Sequence, residues 1–370
     1  MPTAGQIAAI GLTAVLLRVA VFAVMTGVYG YTPAAVASAS DGQSYERYAA
    51  AFCGDRTQWS EYDKRVFPGY PALIAAAHLV TRLSFVWSAL LVTWLAAGVA
   101  AAGSAMLFQD RRVGWAMVML IPHWPINSTL AMSEAPMLAL VVVGLLLGIS
   151  GMSAAAGAAL GMAMTVRPVA CFPLAGLLLA LWLLARRKEA IVAAMVACMV
   201  IAGALQWVQW LTGDALHSAR AYASLPGAYA GSIFAWPFQA LIETPLRARP
   251  SLVRIAYIWA HVVLVVGACV VLARRARQPR ADRLELIALA WLAGNTLFTL
   301  CIGSGPFGWG FYHFPRFTIP ASPAVFWAMD RLLPTPTWVW LLLTVVFFAV
   351  AAAGVHDALI GAPMPAVFGN

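Results

Sequence analysis

The chain has 370 residues, of which 62% are hydrophobic and only 10% are charged, and its mean hydropathy is +0.83. Soluble domains carry about one quarter charged residues, so this composition excludes a soluble globular protein and indicates a membrane protein. The formal net charge of +9 comes mostly from arginine in short loops, which predicts contact with anionic membrane lipids and not with nucleic acid.

Apolar runs in chain order predict an all-α polytopic membrane protein, because runs of about 20 residues can cross a bilayer as helices. The stronger runs are 5–29, 84–107, 133–150, 169–185, 190–212, 253–273, 284–303 and 337–354, and the weaker ones are 113–127, 152–166 and 317–330. Together they predict about eleven transmembrane helices. They form one domain, 1–354, followed by a short tail without regular structure at 355–370.

Basic loops predict how the chain is oriented. The positive-inside rule places the loops with the most arginine in the cytoplasm, and these are 111–112, 186–188, 274–283 and Arg331. A first outer loop at 30–83 and a second at 213–252 then face outward. This arrangement requires 67–82 to lie along the outer surface as a helix, and Pro68 and Pro71 suit the start of such a helix.

The first outer loop concentrates acids in a chain that otherwise has few. Ser40 is predicted to cap a helix that begins at Asp41, and Tyr45, Tyr48 and Phe52 then share one side of an interfacial helix. The remaining loop charges are interpreted as solvated or loop-shaping residues, with a phosphate-binding role as the alternative for Lys64 and Arg65. These charges are Glu46, Arg47, Asp55, Glu61, Asp63, Lys64 and Arg65.

Two acids at the outer membrane level are candidates for chemistry. Asp41 at a helix start either complements the helix dipole or acts as a general base towards an attacking hydroxyl. Glu134 follows Ser133 at the outer mouth of a span, where it either begins the helix as a capping residue or forms one wall of a polar cavity.

Two arginines lie at outer ends of spans and outside the inner basic loops. Arg167 and Arg316 either snorkel to lipid headgroups or clamp a phosphate, for which the planar guanidinium is well suited. His313, near Arg316, either packs against aromatic rings or reaches the same cavity. The five cysteines form no CxxC pair, so neither a disulfide framework nor a metal site is predicted, and a divalent cation as cofactor is left open.

Five short motifs in this order resemble the GT-C glycosyltransferases, and more narrowly the PIG-V-like mannosyltransferases and their bacterial relatives. They are Asp41-Gly42-Gln43-Ser44-Tyr45, Phe67-Pro68-Gly69-Tyr70-Pro71, Ser133-Glu134, Thr165-Val166-Arg167-Pro168 and Pro315-Arg316-Phe317. The resemblance runs from residue 1 to about residue 330 and departs from the family in the Gly69 of the second motif and in the single Asp41.

The resemblance implies an inverting transferase that takes a sugar, often mannose, from a polyprenyl-phosphate donor. The acceptor is a hydroxyl of a glycan, lipid or protein, and the site lies on the extracytoplasmic side of a bacterial plasma membrane. Asp41 is then the catalytic residue, and Arg316 and Arg167 bind the donor phosphate. We expect the remaining candidates to line the substrate cavity, namely Glu134, Tyr45, Tyr70 and His313.

Two other classes of function stay open on the sequence. A flippase or transporter for lipid-linked sugars needs polar positions in mid-span, which are nearly absent apart from Arg18 in the first run. A non-catalytic membrane subunit of an envelope complex is the third class. Acids and arginines gathered only at the outer face favour the enzyme.

Overall fold

The computed structural model describes residues 1–60, 63–120, 123–224, 234–278, 283–303 and 309–360. Within these ranges the regular structure is helical, apart from one isolated β-bridge between Phe234 and Ile302. The predicted all-α fold is confirmed.

The N-terminal half begins with one long helix, continues through an outer loop of short helices and ends in a packed helical bundle. Its helices are α1 (Ala4–Gly27), α2 (Pro33–Ala37), α3 (Gly42–Phe52), α4 (Gly69–Thr81), α5 (Phe85–Leu107), α6 (Arg111–Met119), α7 (His123–Thr129), α8 (Glu134–Ile149), α9 (Ser153–Val166), α10 (Cys171–Leu183) and α11 (Arg187–Thr212). A 3₁₀ turn at Asp63–Arg65 lies between α3 and α4.

The C-terminal half has a second loop region, two long helices, a run of short turns and a final helix. Its helices are α12 (His217–Ser224), α13 (Gln239–Ala248), α14 (Leu252–Ala276), α15 (Arg283–Leu300), α16 (Trp309–Tyr312), α17 (Phe314–Thr318), α18 (Ser322–Ala328) and α19 (Thr337–Ile360).

The protein is a polytopic membrane protein. In the described ranges, five helices are long and apolar enough to cross a bilayer, namely α1, α5, α11, α14 and Trp338–Ile360 of α19. A sixth span arises if α7 and α8, which meet at an angle of 104°, are counted as one broken helix. The predicted number of eleven is not confirmed, because α4, α9 and α10 are apolar but short.

Three sequence predictions about local structure are wrong. Residues 355–360 are not tail but the last turns of α19, while 361–370 lie outside the described residues. The weak run 317–330 is no single helix, because it is divided into α17, α18 and two 3₁₀ turns. Ser40 does not cap α3: it adopts a left-handed conformation with φ of 56°, and α3 begins at Gly42 after Asp41.

Close packing between helices brings the ends of α8 and α9 together. The two helices run antiparallel through a short turn and contact each other along their length. On the far side, α9 approaches α11 so closely that a Cβ on Gly157 would lie 2.3 Å from the carbonyl oxygen of Ala193. Small residues permit this kind of approach between membrane helices. The start of α8 and the end of α9 therefore share one end of the bundle.

The basic loops share the opposite end. Arg112 forms an ion pair with Asp110 at 2.7 Å. Asp330 lies 2.8 Å from Arg275 and 3.8 Å from Arg112. Arg283, the first residue of α15, donates a hydrogen bond to the carbonyl oxygen of Ile149 at the end of α8. Since α8 has 16 residues and rises 1.5 Å per residue, its first residue lies about 24 Å from this basic end.

Candidate active site

Two carboxylates and three arginines from distant parts of the chain meet at the start of α8. Glu134 Oε1 accepts a hydrogen bond from Arg316 Nε at 2.6 Å and lies 3.2 Å from Arg167 Nη2. Asp41 Oδ1 accepts a hydrogen bond from Arg65 Nη2, and Asp41 Oδ2 lies 3.7 Å from Arg316 Nη2. Arg316 thus bridges the two acids. We call these five residues the charge cluster.

Each member of the charge cluster is held by the end of a helix or turn. Asp41 directly precedes α3, and its side chain makes no capping hydrogen bond to that helix. Glu134 is the first residue of α8, Arg167 directly follows α9, Arg316 lies in α17, and Arg65 ends the 3₁₀ turn. Because the ends of these elements coincide, charges far apart in sequence become neighbours.

The charge cluster is largely shielded from solvent and carries one excess positive charge, since three guanidinium groups face two carboxylates. Glu134 is 0% exposed, and its Oε2 has no hydrogen-bond partner among the described residues. The Asp41 side chain is 24% exposed and is the most open member. A net cation with one accessible carboxylate favours an anionic ligand and leaves Asp41 reachable.

The electrostatics keep Asp41 ionised and His313 neutral. Burial alone raises the pKa of Asp41, but Arg65, Arg316 and Arg167 together hold the pKa below its ordinary value. His313 directly precedes α17, and burial together with the charge of Arg316 lowers its pKa to about 4. Arg316 itself has a raised pKa, because Glu134 and Asp41 outweigh the effect of burial.

Ser133 connects α3 to the arginines. Its Oγ accepts hydrogen bonds from Tyr45 Oη and from Arg167 Nε, both at 2.9 Å. The ring of Tyr45 packs edge-to-face on Tyr70 with 4.8 Å between centroids. The hydroxyl of Tyr70 contacts Thr93 Oγ1 of α5 at 2.6 Å. Tyr45 is therefore linked to the charge cluster, while Tyr70 packs behind it and its place in a substrate cavity stays a prediction.

The sequence favoured a solvated loop charge for Arg65, with a phosphate-binding role as the alternative, and the solvated interpretation is wrong. Arg65 is only 6% exposed and binds Asp41. Asp63, two residues earlier, is 1% exposed and accepts hydrogen bonds from Ser44 Oγ at 2.9 Å and from Ser60 Oγ at 2.7 Å. The sequence signal for a buried Arg65 is its position directly before the apolar Val66-Phe67-Pro68.

The tyrosines of α3 also differ from their prediction. Tyr45 is 5% exposed and Tyr48 is 0% exposed, so they pack inside the protein and not at the lipid headgroups. Tyr48 stacks on Phe52 with 5.1 Å between ring centroids. Glu46 is partly buried, and Ser38 Oγ donates to it at 3.4 Å. Glu61 lies outside the described residues.

Within the described ranges no three histidine, cysteine, aspartate or glutamate side chains are grouped so that they could hold a metal ion. An open depression of about 500 Å³ lies at the basic end, between the start of α9 and that of α11, and is lined by Gly151, Lys188 and Glu189 among others. None of the predicted site residues lines it. The candidate active site is therefore the charge cluster, which is defined by the contacts between its side chains.

Comparison with known proteins supports the fold and leaves the activity open. No protein-family model matches the chain, and no curated protein matches it. The crystal structure of ArnT from Cupriavidus metallidurans in the apo state superposes with a TM-score of 0.54 at 17% identity, and covers 95% of this chain. The match extends over 66% of the ArnT chain, so this protein is similar to about two thirds of it. At this level of identity the likeness shows a shared fold and no more.

Proposed function

We propose that this protein is an inverting membrane glycosyltransferase that moves a sugar from a polyprenyl-phosphate donor to a hydroxyl acceptor. The observation that carries the proposal is the charge cluster, in which an ionised, accessible carboxylate stands beside two arginines that are suited to a phosphate. The GT-C-like fold, shared with ArnT, supports the same class of reaction.

In this proposal Arg316 and Arg167 bind the phosphate of the donor. Both now contact Glu134 through one carboxylate oxygen, so their remaining N–H groups are the donors offered to a ligand. The contact between Arg316 and Asp41 is the loosest in the charge cluster, at 3.7 Å. An incoming phosphate replaces it at the smallest cost, which turns Asp41 Oδ2 from an ion-pair partner into a free base.

Asp41 then acts as the general base. Its Oδ2 accepts the proton of the acceptor hydroxyl as the hydroxyl oxygen forms a bond to C1 of the sugar. The bond between C1 and the phosphate oxygen breaks, and its electron pair leaves with the phosphate, whose growing charge the two arginines stabilise. Attack from the side opposite the leaving group inverts the configuration at C1.

The site is proposed to face the extracytoplasmic side of the bacterial plasma membrane, which the motifs imply. The basic loops lie at one end of the bundle and the charge cluster about 24 Å away along α8, and basic loops favour the cytoplasm. A donor whose lipid stays in the outer leaflet would present its sugar at this level. Mannose is the sugar that we propose from the resemblance to the PIG-V-like family.

A flippase for lipid-linked sugars is not favoured by Arg18, a charge in the middle of α1. Arg18 is 0% exposed in α1, and its guanidinium donates to Ser128 Oγ at 2.9 Å and to the carbonyl oxygen of Val118 at 2.9 Å. These partners are parts of the protein frame. Arg18 therefore joins α1 to α6 and α7 and does not line the charge cluster.

Transfer and transport are separated by following the donor. Purified protein in vesicles is supplied with a polyprenyl-phosphate sugar and a short hydroxyl acceptor. A glycosyltransferase releases polyprenyl phosphate and forms a product with inverted configuration at C1. Movement of intact donor between leaflets without release of polyprenyl phosphate would contradict the proposal and support the flippase.

A further inference from the structure

The second outer loop reaches the turn that carries Arg65. Ser218 in α12 is 6% exposed, and its Oγ lies 3.2 Å from the carbonyl oxygen of Lys64 and 3.1 Å from that of Val66. The single hydroxyl proton is thus shared between the carbonyl oxygens of the two residues that flank Arg65. No sequence pattern connects Ser218 with Arg65, since 153 residues separate them.

The other side of the same turn is fixed to α3. Asp63 accepts hydrogen bonds from Ser44 Oγ at 2.9 Å and from the backbone N–H of Ser60 at 3.0 Å. Arg47 lies 3.5 Å from the same carboxylate. The turn is therefore anchored to the helix that Asp41 precedes, and Ser218 closes it from outside.

This anchoring determines which oxygen of Asp41 is free for chemistry. Arg65 occupies Oδ1, while the contact that the described residues make with Oδ2 is the longer one of 3.7 Å from Arg316. If the turn shifted, Arg65 could not hold Oδ1, and the carboxylate would rotate towards Arg316. Asp41 and Arg316 would then form a closer ion pair, so that neither Asp41 could act as the base nor Arg316 bind the phosphate.

We propose that Ser218 is a positioning residue, which holds Arg65 on Oδ1 of Asp41 so that Oδ2 faces the acceptor hydroxyl. The inference rests on the proposed function of Asp41 as the base. It assigns to the second outer loop a part in arranging the base, beyond closing the surface.

The charged and titratable groups that act on Asp41 come from every neighbouring element. They are Arg65 of the 3₁₀ turn, Arg316 of α17, Arg167 after α9 and His313 before α17. Ser218→Ala weakens the contribution of Arg65 alone, so the pKa of Asp41 rises. Because the base works in its ionised form, the acid limb of kcat/KM then moves towards neutral pH.

The test compares Ser218→Ala with Ser251→Ala, which removes a hydroxyl that caps α14 and leaves the 3₁₀ turn untouched. Loss of one hydrogen bond predicts a fall in kcat of about 2- to 10-fold and an acid limb shifted by about 0.4 to 1 pH unit for Ser218→Ala only. In an Arg65→Gln background Ser218→Ala adds no further shift. The inference would be overturned if Ser218→Ala left the acid limb of kcat/KM at its wild-type position. It would also be overturned if Ser218→Ala shifted the limb equally in the Arg65→Gln background.

A second readout needs no turnover. Tm values of the wild type, Ser218→Ala, Arg65→Gln and the double variant form a double-mutant cycle, for which we expect a coupling clearly different from zero at pH 7. Zero coupling overturns the positioning role. Coupling without any sugar transfer by the wild type would instead overturn the proposed function and leave the Ser218–Arg65 contact established.

Discussion

Replacing Glu134 by glutamine removes the charge that neutralises Arg167 and Arg316 and preserves the shape of the side chain. The charge cluster then goes from one excess positive charge to two. Each of the two contacts, at 2.6 and 3.2 Å, corresponds to about 5 kcal/mol of attraction at an effective dielectric constant of 20. Burial of the ions offsets much of this, so we expect a net destabilisation of about 3–5 kcal/mol.

Thermal unfolding in detergent measures this effect, with Glu243→Gln as the matched control. Glu243 pairs with Arg247 at 3.3 Å, but the Arg247 side chain is 76% exposed, and pairs of this kind contribute about 0–1 kcal/mol. We expect a large fall in Tm for Glu134→Gln and almost none for the control. Added polyprenyl phosphate should raise the Tm of Glu134→Gln more than that of the wild type, because a ligand that binds only the folded state stabilises it.

Equal Tm values for Glu134→Gln and the wild type would show that the buried carboxylate is not what holds the arginines. Equal stabilisation of the two by polyprenyl phosphate would refute the assignment of Arg167 and Arg316 as phosphate ligands.

Two further predictions concern the donor and the pH dependence of stability. Arg316→Lys keeps a charge but loses the planar guanidinium that bridges Asp41 and Glu134. We expect kcat/KM for the donor to fall by about 10-fold or more, because a charge-assisted hydrogen bond is lost. Steady-state kinetics with the donor concentration varied measure this, and an unchanged kcat/KM would contradict it. Burial raises the pKa of Glu46 to about 7, so the folded state binds a proton more tightly than the unfolded chain and loses stability as pH rises from about 4.5 to 7. Glu46→Gln should therefore raise Tm at pH 8 and leave it nearly unchanged at pH 4.5, and a Tm difference independent of pH would contradict the assignment.

The sequence could predict the members of the site that stand at the ends of apolar runs. Asp41, Glu134, Arg167 and Arg316 each occupy a place where a charge beside lipid needs a partner, and the structure brings all four together. Their catalytic and phosphate-binding roles stay predictions.

The sequence could not predict Arg65, because its burial depends on contacts from far along the chain. Arg65 stands among polar loop residues, which in most proteins are solvated, whereas here it is buried in a turn that Ser218 of α12 contacts from 153 residues away. Local patterns contain no information about such a contact.

The predicted number of about eleven spans is not confirmed, and the reason is related. Hydropathy identifies apolar runs, but it does not distinguish one long helix from two short ones that meet at an angle. α7 and α8 meet at 104° around residues 130–133, where Ser133 binds Tyr45 and Arg167. The apolar runs 113–127 and 133–150 are separate in the sequence, but the angle between α7 and α8, which places Glu134 in the charge cluster, is not readable from hydropathy.

The central claim is that Asp41 is the base, and sugar transfer by Asp41→Asn tests it most directly. Asp55→Asn is the matched control, because Asp55 is an exposed acid of the same loop whose carboxylate accepts hydrogen bonds from the nearby Thr57. With equal amounts of folded protein and a saturating polyprenyl-phosphate sugar, Asp41→Asn should transfer about 10²- to 10⁴-fold more slowly than the wild type, and Asp55→Asn at the wild-type rate. Transfer by Asp41→Asn at the wild-type rate would contradict the account.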